Sequence, residues 1–95
     1  MTGNSDRQTV TISNPAGFHM RPMAAFVEVA NRFPGTVTVM RTDSSGAVNG
    51  KSMLSLMGLV AVPGTELLIE VNGPGAGEAM EALLEVFRRN FDEEA

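Results

Sequence analysis

The chain has one histidine, His19, and no cysteine. His19 is therefore the one side chain suited to both proton transfer and nucleophilic attack at neutral pH. It stands in the segment Asn14-Pro15-Ala16-Gly17-Phe18-His19-Met20-Arg21-Pro22, between a stretch of alternating apolar residues and a stretch with helical spacing. That junction puts the imidazole beside the first turn of a helix, where the backbone N–H groups of Met20 and Arg21 and the positive end of the helix dipole suit an anion. Arg21 adds a permanent cation two residues away, able to neutralise phosphoryl oxygens. A nucleophile, an anion cradle and a countercharge together describe a site that can accept and hold a phosphoryl group. A solitary loop histidine is more ordinarily a surface or capping residue, so these three features alone do not decide the matter.

The remaining composition closes off other chemistries. Without cysteine there is no disulfide, thiolate nucleophile or cysteine-held metal, and one histidine cannot make a His-rich metal site. No metal and no cofactor are expected. Seven Lys and Arg against eleven Asp and Glu give a net charge of −4, which disfavours nucleic acid as a partner. One histidine without clustered carboxylates supplies little acid–base machinery for a self-sufficient enzyme.

The positioning elements follow from hydrophobic periodicity. Val10 and Ile12 alternate with Thr9, Thr11 and Ser13, which predicts a strand over 8–13. From Arg21 the spacing becomes helical, with Met23, Phe26, Val27 and Ala30 on one face, Pro22 tolerated in the first turn and Pro34-Gly35 as the stop. Strands are expected over 36–41 and 47–50, separated by the turn-rich stretch 42–46. Ser52 opens a short helix ending near Val60, Pro63-Gly64 precedes a strand over 65–71, and a last helix runs over 77–91. In that helix Met80, Leu83, Leu84, Phe87 and Phe91 share a side, with Glu78 and Glu81 near the positive end and Arg88 and Arg89 near the negative end. The order is βαββαβα. Thr- or Glu-rich outer faces on the long strands predict an α+β, two-layer open-faced sandwich: a four-stranded antiparallel sheet covered by three helices on one face. The 95 residues suit one domain, with residues 8–91 globular and residues 1–6 and 92–95 loose ends. The first residues lack the basic and apolar regions of a signal peptide, and no apolar stretch reaches the ~18 residues needed to span a bilayer. A cytoplasmic location without membrane insertion is expected.

The string Gly17-Phe18-His19-Met20-Arg21-Pro22 resembles the G-x-H-x-R-P active-site motif of HPr, the histidine-containing phosphocarrier of the bacterial sugar phosphotransferase system. The resemblance extends over residues 8–91. The segment Val48-Asn49-Gly50-Lys51-Ser52-Met53-Leu54-Ser55-Leu56-Met57 is similar to that family's regulatory-serine segment, and Pro63-Gly64-Thr65 to the turn before its last strand. The resemblance implies a stoichiometric carrier rather than an enzyme. His19 takes phosphate on Nδ1 from enzyme I, Arg21 assists, and enzyme IIA domains receive the group. It further implies the HPr-like fold, a monomer, and modification of Ser52 by HPr kinase/phosphorylase. Met53, Leu54 and Met57 then fall on the family's docking surface, in keeping with a second helix too short and too apolar to bury every side. Met20 and Met23 stand where small residues are usual in the family, and Glu28 and Asn31 where neutral or basic ones are. These departures touch partner identity, leaving a nitrogen-linked or purely regulatory paralogue as the alternative.

Ser52 has a simpler role as well, since serine is a common helix N-cap worth about 1 kcal/mol. A more distant alternative is a two-layer α/β module binding a ligand or RNA. It is disfavoured because all five phenylalanines, Phe18, Phe26, Phe33, Phe87 and Phe91, lie in or beside helices rather than on strands.

Overall fold

Leu67, Ile69 and Val71 alternate with Glu66, Leu68 and Glu70 along β4 (Glu66–Asn72), and the first three are completely buried. This period of two makes β4 a central strand with one face in the core. It is hydrogen-bonded antiparallel to β1 (Ser5–Thr11) on one side and to β2 (Thr36–Arg41) on the other. Beyond β2 lies the two-residue edge strand β3 (Val48–Asn49), so the sheet order is β1-β4-β2-β3 with every neighbour antiparallel. The computed structural model describes the backbone of residues 4–94 and the side chains as far as Arg89.

Three helices complete the order βαββαβα: α1 (Met20–Arg32), α2 (Met53–Met57) and α3 (Ala76–Glu94). The fold is the expected open-faced sandwich. Helix α1 buries Pro22, Met23, Phe26 and Ala30, and α3 buries Ala76, Met80, Leu83, Val86 and Phe87. These meet Val37 and Val39 of β2 and the inner face of β4 in one core. The outer sheet face carries Arg7, Thr9, Thr38 and Glu70, with Arg7 and Glu70 directly opposite each other and 3.7 Å apart.

Three boundaries differ from expectation by about three residues each. The first strand begins at Ser5 rather than residue 8, because Ser5, Asp6 and Arg7 pair with Asn72, Val71 and Glu70. The loose N-terminal segment therefore shortens, since an edge strand can be polar and still satisfy its backbone against a buried neighbour. The second helix stops at Met57, with Gly58 as its C-cap; Leu59 and Val60 belong to the following loop. The last helix continues to Glu94, so residues 92–94 are helical and no basic residue lies in its last turn. Arg88 instead pairs with Glu85 at 2.9 Å and Glu81 at 3.8 Å on the same helix. Val86 joins the core where the sequence reading left it out, and the expected contribution of Phe91 lies outside the described side chains.

Candidate functional site

The loop between β1 and α1 is held at three points. Ile12 at its start is buried, its amide donating to the Thr65 carbonyl at 2.8 Å while its own carbonyl accepts from Gly64 N–H at 2.8 Å. Asn14 is buried and its carbonyl accepts from Gly17 N–H at 3.0 Å. Phe18 N–H then donates to the Ala61 carbonyl at 2.9 Å. Between the last two points Gly17 adopts φ +74, and a Cβ there would stand 2.8 Å from the Ala61 oxygen. Both the left-handed backbone and the close approach require glycine.

Phe18 anchors the loop through its side chain. The ring is buried against Phe26 of α1 and Phe87 of α3, with centroids 6.1 and 5.3 Å away, and Phe26 and Phe87 are themselves 5.7 Å apart. Such tilted and edge-on aromatic contacts fix orientation as well as burying area. With Phe18 locked on one side and the fully buried Pro22 on the other, the intervening residues have little freedom.

His19 is the N-cap residue of α1, with extended backbone at φ −100 and ψ −168, and its side chain makes no capping hydrogen bond. Its carbonyl accepts the first helical bond, from Met23 N–H at 3.0 Å. The amides of Met20 and Arg21 therefore come ahead of the helical ladder, and Pro22 contributes no N–H. The imidazole is half-buried, while Met20 and Arg21 are exposed. The predicted nucleophile, the predicted backbone donors and the predicted cation thus fall on three consecutive positions, at the end of a thirteen-residue helix. This arrangement can present a ring nitrogen to a tetrahedral anion while backbone dipoles and a guanidinium face its oxygens.

Ser52 is the N-cap of α2, and its Oγ accepts from Ser55 N–H at 3.1 Å. Its neighbour Lys51 reaches back to α1, with Nζ donating to the Phe33 carbonyl at 2.5 Å, while Asn31 Nδ2 donates to the Lys51 carbonyl at 3.1 Å. Of the three residues expected on an exposed patch, Leu54 is 79 % and Met57 50 % exposed. Met53 is half-buried and packs on the core, so it contributes less surface than the other two.

Sequence reading missed the segment after α2. Val60 and Val62 flank Ala61, whose carbonyl holds Phe18, and both valines are exposed. Val60 N–H donates to the Met57 carbonyl at 3.4 Å, so this segment joins the exposed end of α2 to the His19 loop. Met20, next to His19, is 64 % exposed, and further exposed apolar side chains stand on α2 and on this loop. Gly64 and Pro63 in the sequence marked a turn there, but its bonding to residues 12 and 18 has no local sequence signal. Among the described residues no cluster of acidic, histidine or cysteine side chains could hold a metal, and no helix is long and apolar enough to cross a membrane.

Comparison with known proteins bears on this loop directly. The family model described as the PTS HPr component phosphorylation site matches residues 7–89. The phosphocarrier protein HPr of Pseudomonas aeruginosa is 43% identical over 84 residues, covering 88% of this chain and 92% of that protein. The phosphocarrier protein NPr of Escherichia coli K12 is 32% identical over 88 residues, covering 93% of this chain and 97% of that protein. Among solved structures, an HPr from Thermoanaerobacter tengcongensis superposes with a TM-score of 0.84 at 31% identity, over 95% of this chain and 99% of that one.

Proposed function

The chain belongs to the HPr family of phosphotransferase-system phosphocarriers, and on that premise we propose that His19 accepts a phosphoryl group from phosphorylated enzyme I and passes it to enzyme IIA components. The observation that carries this reading is the N-cap position of His19. Its backbone starts the helix while its ring is not used for capping, and the amides of Met20 and Arg21 precede the ladder beside it.

The chemistry balances within the two proteins. The Nδ1 lone pair forms a new N–P bond as the donor's bond to phosphorus breaks, and that bond's electron pair stays with the donor. The Arg21 guanidinium and the first-turn amides face the phosphoryl oxygens, whose charge spreads as the bond loosens. Release to an acceptor runs the same steps in reverse. His19 is regenerated each time, so the protein is a stoichiometric carrier. Leu54 and Met57, together with the half-buried Met53, supply an apolar docking patch suited to transient partners.

Identity to the Pseudomonas aeruginosa HPr supports the sugar-linked branch as the first reading. A nitrogen-linked role is the second, favoured by the match to nearly the full length of the Escherichia coli NPr. Ser52 is proposed as a regulatory phosphorylation site for a kinase of the HPr kinase/phosphorylase type. A phosphate there would sit at the start of α2, where the dipole accommodates negative charge.

The test is incubation with phosphoenolpyruvate and enzyme I, followed by intact mass before and after mild acid. Wild type is expected to gain one acid-labile phosphoryl group, and folded His19→Ala none. Persistent acid-labile labelling of His19→Ala would overturn the assignment.

A further inference from the structure

Arg41 is the last residue of β2, opposite Leu67 of β4 in the sheet register. The next residue is tied down too, with Thr42 N–H donating to the Glu66 carbonyl at 3.0 Å. Arg41 shares its strand face with the buried Val37 and Val39, so its side chain emerges on the helix side of the sheet at the sheet's end. There the guanidinium makes four directed contacts. Nε and Nη2 each donate to one carboxylate oxygen of Asp43 at 2.9 Å. Nη1 donates to the Leu59 carbonyl at 3.1 Å and to the Val60 carbonyl at 3.0 Å. The side chain is only 28 % exposed.

Val60 has φ +51 and is the only non-glycine residue with positive φ among those described. A β-branched side chain in the left-handed region is strained, and such a conformation persists only where surrounding contacts impose it. The residue directly after Val60 is Ala61, whose carbonyl accepts from Phe18 N–H beside His19. The chain of contact therefore runs from the rigid end of β2, through the Asp43-oriented fork of Arg41, to the strained Val60, to Ala61, and so to the loop carrying the imidazole.

We propose that Arg41 is a positioning residue for phosphoryl transfer: braced by Asp43, it imposes the left-handed conformation of Val60 and thereby fixes the Ala61 carbonyl on which the His19 loop rests. The inference deepens the phosphocarrier reading and rests on it for its kinetic part. Its structural part stands separately.

The experiment is a double-mutant cycle of Arg41→Ala and Val60→Gly, read by the rate of phosphoryl uptake from phosphorylated enzyme I and by amide hydrogen exchange. Glycine adopts the left-handed conformation without strain, so it removes the need for the clamp. Arg41→Ala is expected to slow uptake roughly tenfold, the scale of losing hydrogen bonds from a charged donor, and to speed exchange of the Phe18 amide selectively over amides of α3. In the Val60→Gly background the same change should cost less than about twofold. Asp43→Asn, which leaves the guanidinium but removes its brace, should act in the same direction more weakly, and serves if Arg41→Ala does not fold. The proposal is overturned if Arg41→Ala leaves Phe18 exchange at the wild-type rate. It is equally overturned if the loss is the same in both backgrounds, since a merely structural role would not be relieved by glycine. If wild type takes up no phosphate, the phosphocarrier reading fails, and Phe18 exchange across the cycle still decides the clamp.

Discussion

At the scale of single residues, the site depends on separating two jobs that one histidine could have done. The His19 backbone caps α1 and its ring does not, so the imidazole can change chemical state without the helix losing its start. The Arg21 backbone amide belongs to the anion cradle, and its guanidinium is the separate part assigned to transfer. Arg21→Ala is expected to slow phosphoryl exchange by a factor on the order of 10 to 10³ with little change in melting temperature, the scale of one lost electrostatic contact in a transfer step; stopped-flow transfer in both directions is the measurement. Ser52 is the opposite case, because its Oγ is committed to Ser55 N–H. Ser52→Asp preserves an N-cap acceptor and adds charge beside Leu54 and Met57, so it should raise the apparent KM for the upstream donor more than it lowers kcat. Comparing donor kinetics with Ser52→Ala at low and high salt separates docking from capping. The Arg41–Asp43 pair shows the same directness: the hydrogen bond from Arg41 holds the Asp43 carboxyl below its usual range, while Asp43 raises Arg41. Its influence on the loop is accordingly present at neutral pH and disappears only as acid protonates Asp43 below the ordinary carboxylate range.

At the scale of elements, α2 and the loop behind it decide what surrounds the imidazole. Met57→Glu places a charge on a half-exposed apolar position at the end of α2, and is expected to weaken enzyme I binding by about 1–3 kcal/mol with stability nearly unchanged; titration calorimetry with each partner checks it. The same region shows why parts of the site were legible and parts were not. Val37, Val39, Leu67, Ile69 and Val71 announced themselves because a strand buried on one face must alternate. His19 and Arg21 were legible because their chemistry and their place before a helix coincide within three residues. Ser5 to Arg7 gave no such signal, since an edge strand held by its backbone places few demands on its side chains. Nor could Arg41 be found locally. Its partners, the Leu59 and Val60 carbonyls, lie 18 and 19 residues away and are main-chain atoms that leave no mark on residue type. The unusual φ of Val60 was invisible for the same reason, as valine is the last residue that spacing alone would assign to a left-handed turn.

At the scale of the whole molecule, the sheet is held from its centre outward, and β1 is fastened by β4 along its full length. Deleting residues 1–7 removes the pairings of Ser5, Asp6 and Arg7, together with the Asn4 carbonyl that accepts from Gly73 N–H at 2.6 Å. At about 1 kcal/mol for each ladder bond lost, stability should fall by roughly 3 kcal/mol, a drop of about 10 °C or more in melting temperature for a domain of this size. Thermal denaturation of the truncated protein measures it. The layering has its own outcome, because the helices pack on one side of the sheet and none of the described elements covers the other. A single half-buried imidazole at the start of α1, next to the exposed Met20, has room for one phosphoryl group and one neighbour at a time. On the proposed reading, donor and acceptor queue for the same ground. An excess of either then crowds out the other, and flux along the relay passes through a maximum as partner concentration rises instead of climbing to a plateau.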